Sequence, residues 1–146
     1  MRKNGIAFTH IDELFNDPFN LNNKLDYSKK LKINHKLSNQ KSFLDYYLGK
    51  GSPLDLNNPL IQLSINENTL NIVNSYLGLC SKLVYFELAS SKVIGKNDIT
   101  QGSQRWHRDP GLSRICKMFI YLTDVDENSG PFTYVKKSHN GGDYNK

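Results

Sequence analysis

The tripeptide His107-Arg108-Asp109 places an imidazole and a carboxylate two residues apart, ahead of an apolar segment at residues 118–122. On an extended backbone, side chains at i and i+2 leave the same face. These two groups are therefore predicted to point into one cavity, about 7 Å apart along a strand. One imidazole nitrogen and one carboxylate oxygen are two of the three ligands in the 2-His-1-carboxylate triad that holds non-haem Fe(II). His107 and Asp109 are therefore candidate metal ligands.

The same triplet also has a plainer interpretation. A histidine and an aspartate two residues apart occur often by chance, and Asp109-Pro110-Gly111 is good turn chemistry. His107 would then be an ordinary loop histidine and Asp109 a turn former. The residues around the triplet have to decide between these interpretations.

Length, charge and cysteine content restrict the class of protein. The 146 residues suit a single domain with a modest core. The net charge of +5 comes largely from lysines spread along the N-terminal half with few aromatic residues between them, which favours a solvated surface over nucleic-acid binding. No apolar run approaches the length of a membrane span, and no leader-like segment is present, so a cytoplasmic protein is expected. Cys80 and Cys116 lack the spacing of a metal site and are predicted to be buried free thiols.

Helices are predicted in the first half of the chain. A short strand at residues 5–8 leads into a helix at 9–15, another helix is predicted at 42–48, and residues 16–39 are predicted to be irregular. The clearest helix is at 65–77, where apolar residues share one face. A capping box beginning at Ser64 is predicted to start this helix, and Gly78 is predicted to stop it.

Strands are predicted in the second half. Residues 82–88 alternate between apolar and polar, residues 118–122 are continuously apolar, and residues 132–135 form a returning strand after an acidic turn at 124–131. Residues 91–104 are predicted to be a loop at the mouth of the cavity. Helices followed by strands indicate an α+β fold, and the second half suits a jelly roll whose short sheets enclose a cavity.

The order of motifs between residues 104 and 139 resembles the phytanoyl-CoA dioxygenase (PhyH-like) family of Fe(II)/2-oxoglutarate oxygenases. In that family an H-x-D motif precedes a strand, an acidic turn ending in N-G, an apolar strand and a loop ending in P-G-S-H. The corresponding segments here are Trp106-His107-Arg108-Asp109, Phe119-Ile120-Tyr121-Leu122-Thr123-Asp124, Glu127-Asn128-Ser129-Gly130-Pro131-Phe132 and Ser138-His139. Lys136-Lys137 replaces the Pro-Gly pair of the last loop.

The resemblance implies a function and a set of ligands. Fe(II) is expected on His107 and Asp109, with 2-oxoglutarate and O2 as cosubstrates in the hydroxylation of a small organic molecule. Phe119 matches a position where an aromatic side chain lies against 2-oxoglutarate, although a plain core phenylalanine explains it equally well. The implied fold is a set of N-terminal helices packed on a partial double-stranded β-helix (a jelly roll, cupin-like).

Two parts of the family's site have no counterpart. The third ligand is a distal histidine, but the sole histidine after Asp109 is His139, which matches the Ser-His of the loop and is not a ligand position there. The arginine that binds the far carboxylate of 2-oxoglutarate is also missing, since the last arginine is Arg114. The chain is therefore expected to be one partial domain, with residues 1–80 a mainly helical flank, residues 81–146 the first strands, and a C-terminal half missing. The competing hypothesis is a metal-free jelly-roll module that binds a ligand without catalysis.

Overall fold

The computed structural model of the chain describes residues 3–15, 18–38, 41–49, 51–92, 99–109 and 114–144, with the backbone alone at 18–21 and 38. Within these ranges the chain mixes helix and strand, which confirms the mixed class predicted from the sequence. The elements are α1 (Ile11–Leu14), α2 (Pro18–Lys30), α3 (His35–Ser38), β1 (Leu44–Leu48), α4 (Pro59–Ser64), α5 (Glu67–Leu77), β2 (Leu88–Ser91) and single 3₁₀ turns at Gly102–Gln104 and Glu127–Ser129.

Strand β1 replaces the helix predicted at residues 42–48, and it pairs antiparallel with β2. Tyr46 is buried and faces Ala89 in the register, and an irregularity follows between Tyr46 and Leu48. On the other side of β1, the Asn34 amide donates to the Tyr46 carbonyl at 2.6 Å. The helix prediction was wrong because short apolar runs fit either period, and here the partner strand about forty residues away decides the conformation.

Helix α2 occupies much of the segment predicted to be irregular, so that prediction was wrong as well. Proline is favoured at the first position of a helix, because its missing N–H would have no partner there; Pro18 therefore begins α2 instead of breaking it. Lys29 and Lys30 lie in the last turn, where positive charge is favourable. Leu25 and Tyr27 of α2 pack against the core, which compensates for an otherwise polar sequence.

Helix α5 confirms the clearest prediction, with one correction at its start. The residue that caps it is Asn66, whose side-chain oxygen accepts from the Asn68 amide at 2.9 Å. Ser64 instead ends α4, and its hydroxyl donates to the Leu60 carbonyl at 3.4 Å. Gly78 ends α5 in the left-handed conformation at φ +69°, as the sequence predicted.

The Gly78→Ala variant is expected to lower the free energy of unfolding by about 1 kcal/mol, because an L-residue pays for the left-handed conformation. A Cβ at this position meets no atom within 4 Å, so the cost comes from the backbone alone. Gly78→Asn should cost less, since asparagine tolerates this conformation better. Urea unfolding of the three proteins measures the difference, and equal losses for alanine and asparagine would contradict the explanation.

A small core joins the helices to the sheet. Its buried centre is Phe15, Leu60 and Leu63, which are 7%, 3% and 3% exposed. Partly buried side chains from both halves of the chain surround this centre: Ile11, Leu14, Leu25, Tyr27, Leu31, Leu48, Phe86, Leu88 and Ile120. Ile120 is the contribution of the apolar segment at residues 118–122, so that segment touches the core at one point.

The second half of the chain leaves much apolar surface exposed. The whole chain has an accessible surface of 11407 Å², against about 7,600 Å² expected for a compact globule of this mass. Neither of the strands predicted at residues 118–122 and 132–135 is a strand here, and of residues 82–88 only Leu88 belongs to β2. A strand needs a second strand to pair with, and within the described ranges no strand pairs with these segments. The exposed side chains there include Met118, Phe119, Tyr121, Phe132 and Val135.

Smaller predictions had mixed outcomes. The acidic turn is confirmed, since Asp126 caps the 3₁₀ turn Glu127–Ser129 and its carboxylate is exposed. The helix predicted from residue 9 is the short α1, whereas residues 5–8 are not a strand. Both cysteines are free, as predicted. Cys80 is exposed, so its predicted burial was wrong, and Cys116 is only half-buried. No helix of the described ranges has the length and apolarity needed to cross a bilayer.

Candidate functional site

The predicted convergence of His107 and Asp109 is observed, although the strand that was to produce it is not. Both residues lie in irregular backbone after the 3₁₀ turn Gly102–Gln104. The His107 Nε2 atom is 3.6 Å from Asp109 Oδ1, and the two side chains are 42% and 47% exposed. The spacing of two residues therefore brings the two side chains together through a loop.

Hydrogen bonds fix the turn that precedes the pair. The backbone amide of Gln101 donates to the side-chain oxygen of Gln104 at 2.8 Å, and this bond closes the 3₁₀ turn. The Arg105 Nε donates to the Thr100 carbonyl at 2.6 Å. The Ser42 hydroxyl donates to the Gln101 side-chain oxygen at 3.0 Å, across 59 residues of sequence. The segment ahead of β1 is therefore tied to the turn that leads into the pair.

The His107 ring is held in one orientation by its own loop. Its Nδ1 lies 2.7 Å from the Arg105 carbonyl oxygen. A carbonyl can only accept, so Nδ1 carries the proton and donates it. In the neutral ring Nε2 then presents a lone pair. A histidine that binds a metal characteristically donates its other ring N–H to a backbone carbonyl or carboxylate in this way.

The Asp109 carboxylate divides its two oxygens between different partners. Oδ2 accepts from the Lys117 ammonium at 2.6 Å, while Oδ1 is the atom 3.6 Å from His107 Nε2. The hydrogen bond from Lys117 lowers the pKa of Asp109 below its ordinary value. Partial burial opposes this shift, and the positive charges of Lys117, His107 and Lys41 assist it.

Removing the Lys117 ammonium is expected to raise the pKa of Asp109 back toward its ordinary value. The Lys117→Met variant removes the largest cause of the shift, whereas Lys41→Gln removes the smallest, so the second variant should move the pKa less. A depressed carboxyl pKa contributes stability above its ordinary value and loses it as the pH falls through the lowered pKa. A carboxyl ¹³C titration by NMR measures both variants, and an unchanged pKa in Lys117→Met would contradict the assigned cause.

The geometry of the pair fits two coordination positions of one divalent ion. A neutral His107 ring would present its Nε2 lone pair to the ionised Asp109 Oδ1 at 3.6 Å, with a cation needed between the two acceptors, whereas a protonated ring pairs with the carboxylate directly. Ligand nitrogen and oxygen atoms lie about 2.1 Å from an ion such as zinc, so two ligands at the tetrahedral angle are about 3.4 Å apart, close to the separation observed here. No cluster of three or more His, Cys, Asp or Glu side chains suited to a metal occurs in the ranges that the structure describes.

The pair lies on the wall of an open cavity of about 560 Å³, within the size range of small-molecule sites. The residues that line it are Lys41, Ser42, Phe43, Gln101, Gly102, Ser103, His107 and Asp109. The sequence did not predict Lys41, Ser42 and Phe43 as part of the site. They lie more than sixty residues before His107, and no local pattern connects them to it. Lys117 was also missed, although it lies only eight residues after Asp109.

Phe119, the predicted cosubstrate contact, is not among the residues that line this cavity. Its ring is stacked on Phe132, with centroids 4.4 Å apart and planes at 27°, and 55% of the residue is exposed. The Phe132 amide also donates to the Tyr121 hydroxyl at 2.8 Å. The segments 118–122 and 132–135 therefore lie side by side, held by an aromatic contact and one hydrogen bond.

Comparison with two other histidines shows what distinguishes the pair at 107 and 109. His10 and Asp12 repeat the His-X-Asp spacing, with Nδ1 and Oδ2 3.2 Å apart, but they are 72% and 60% exposed and do not line the cavity. His139 lies in a turn whose Lys137 amide donates to the Asn4 carbonyl at 2.9 Å. Only the pair at 107 and 109 combines the spacing with a position on the wall of this cavity.

Comparison of the chain with protein-family models, curated proteins and solved structures finds no match.

Proposed function

We propose that His107 and Asp109 are two of the three protein ligands of a non-haem Fe(II) site in a 2-oxoglutarate-dependent dioxygenase, as the resemblance to the PhyH-like family implies. The observation that carries the proposal is the bond from His107 Nδ1 to the Arg105 carbonyl, which leaves Nε2 facing Asp109 Oδ1 at 3.6 Å. When bound, the iron and its cosubstrate supply the oxidising chemistry for hydroxylating a small organic substrate.

The chain's own residues have positioning roles in this proposal. The Arg105 carbonyl sets the tautomer of His107, and the Lys117 ammonium holds one oxygen of Asp109 so that the other faces the imidazole. The cavity beside the pair is the space for the organic ligands. Among the residues that the structure describes, no third His, Cys, Asp or Glu completes a metal-binding group with this pair.

The proposed fold is a helix-flanked partial jelly roll, as the resemblance implies, in which residues 118–122 and 132–135 are neighbouring segments. The stacking of Phe119 on Phe132 supports this arrangement, because it places the two segments next to each other. Their exposed apolar side chains also suit segments that a further sheet covers. The mixture of helix and strand in the described residues agrees with this class without distinguishing it from other mixed folds.

Anaerobic addition of Fe(II) and 2-oxoglutarate to the purified chain tests the function. A weak visible charge-transfer band that requires both components is expected, because 2-oxoglutarate chelating the iron creates it. Succinate in place of 2-oxoglutarate should give no band, since it lacks the keto oxygen. Absence of the band at saturating Fe(II) and 2-oxoglutarate contradicts the proposal for this chain.

One observation favours a second candidate function, a metal-free binding module. The Lys117 ammonium already lies 2.6 Å from Asp109, so this carboxylate has a cationic partner without any metal. In that case the cavity binds its ligand directly, and Fe(II) leaves ligand affinity unchanged. Isothermal titration of small organic acids with and without Fe(II) separates the two functions.

A further inference from the structure

Four aromatic side chains form one continuous group on the two apolar segments of the second half. The rings of Phe119 and Phe132 are stacked with centroids 4.4 Å apart, and the rings of Phe132 and Tyr134 follow with centroids 6.4 Å apart. The Tyr121 hydroxyl accepts from the Phe132 backbone amide at 2.8 Å, so this side chain reaches the same place. Together these four residues make up the aromatic face.

The aromatic face is anchored to the core and open to solvent. Ile120, which lies between Phe119 and Tyr121 in the chain, packs against the buried core. Phe119, Tyr121 and Phe132 are nevertheless 55%, 54% and 47% exposed. An aromatic side chain buries about 150–250 Å² when it is fully covered, so these three leave on the order of 300 Å² of apolar surface open. Apolar patches of this size are often binding surfaces.

The open area is comparable with what a dimer needs. A standard interface buries about 800 Å² on each partner, and about 60% of that area, or roughly 500 Å², is apolar. Met118 and Val135, on the same two segments, are 39% and 46% exposed and add to the aromatic face. The whole chain has about 3,800 Å² more accessible surface than a compact globule of its mass, so an interface of standard size can form without unfolding any element.

Charges of opposite sign lie at the two ends of the aromatic face. The turn that joins the two segments carries three exposed carboxylates, namely Asp124, Asp126 and Glu127. Lys136, which is also exposed, directly follows the second segment at the end away from the turn. In the part of the chain that the structure describes, none of these four side chains takes part in an ion pair. The face therefore has an acidic end, an apolar centre and a basic end.

We propose that the aromatic face binds the same face of a second copy of this chain, with the segments of the two copies antiparallel about a two-fold axis. In a two-fold interface every contact between residue i and residue j occurs twice. The acidic turn of each copy then lies beside the partner's Lys136, whereas a two-fold axis along the segments would oppose like charges. A surface with an apolar centre and opposite charges at its ends is complementary to itself, which favours a second copy over a different partner. This inference does not depend on the proposed metal site.

Sedimentation velocity over a range of protein concentrations measures the affinity of the dimer. Phe119→Glu is expected to weaken dimerisation at least about 10-fold, because it places a charge at the apolar centre of the interface. Leu56→Glu introduces the same charge at a leucine that is 65% exposed outside both segments, and it should dimerise like the unaltered chain. A chain that is monomeric at about 100 μM overturns the second copy as the occupant of this face. Equal affinities of Phe119→Glu and the unaltered chain overturn the aromatic face as the interface.

An exchange of charges tests the antiparallel arrangement with variants at two exposed positions, where folding should be unaffected. Lys136→Glu and Asp124→Lys each place like charges opposite each other across the interface, and each is expected to weaken dimerisation about 10-fold. The double variant restores opposite charges and keeps the net charge of +5. It should therefore dimerise within about threefold of the unaltered chain, because the two effects are coupled across the interface. If the losses of the two single variants add in the double variant, the antiparallel arrangement is wrong.

Discussion

The His107→Ala variant is expected to bind Co(II), used as a stable substitute for Fe(II), at least 100-fold more weakly than the unaltered chain. Residues that merely support a metal ligand already change affinity by roughly 10- to 100-fold, and His107 is proposed to be a ligand itself. Its Nε2 is the nitrogen that faces Asp109 Oδ1 at 3.6 Å, and alanine leaves the carboxylate without a protein partner for the metal. The intensity of the visible Co(II) absorption during titration measures the affinity.

His10→Ala is the matched control, because His10 and Asp12 have the same spacing and a similar separation of 3.2 Å. This pair is more exposed and does not line the cavity, so its loss should leave Co(II) affinity unchanged. Equal losses in the two variants would indicate non-specific binding to surface imidazoles. Unchanged affinity in His107→Ala would show that the pair is an ordinary loop ion pair, which is the plainer interpretation of the triplet.

The proximity of His107 and Asp109 could be predicted from the sequence, but the backbone conformation that brings them together could not. Residues at positions i and i+2 are close in many backbone conformations. The two side chains therefore meet as predicted, even though the backbone forms a loop instead of a strand. Lys41 could not be predicted as a neighbour. It reaches the cavity because β1 pairs with β2 and because Ser42 bonds to Gln101, and these are contacts between segments far apart in sequence.

Secondary structure was predictable where local signals act alone. In α5 the apolar stripe, an N-cap and Gly78 agree with one another, and the helix forms within two residues of the predicted start. Residues 44–48 lack such agreement, since their apolar pattern fits a helix or a strand and the partner decides. For residues 118–122 and 132–135 the strand prediction was wrong, although the two segments lie side by side. The ladder that defines a strand depends on partners that the sequence of a segment does not contain.

The largest expected effect on stability is that of Leu60→Ala, which should lower the free energy of unfolding by about 2–5 kcal/mol. Leu60 is 3% exposed on α4 and belongs to the core with Phe15 and Leu63. Removing its side chain costs the transfer of buried methyl groups from water and leaves a cavity that neighbouring side chains fill only in part. Domains are stable by only about 5–15 kcal/mol, so one substitution removes a large share of the total. Urea unfolding followed by circular dichroism measures the loss.

Leu56→Ala is the matched control, because it makes the same chemical change at a leucine that is 65% exposed. Its effect should stay within about 0.5 kcal/mol, as for most surface substitutions. Similar losses in the two variants would mean that the cluster around Leu60 is not the core of the folded chain. If Leu60→Ala unfolds at a much lower urea concentration while Leu56→Ala does not, the small core that joins α2, α4 and the sheet carries a large share of the stability of the folded chain.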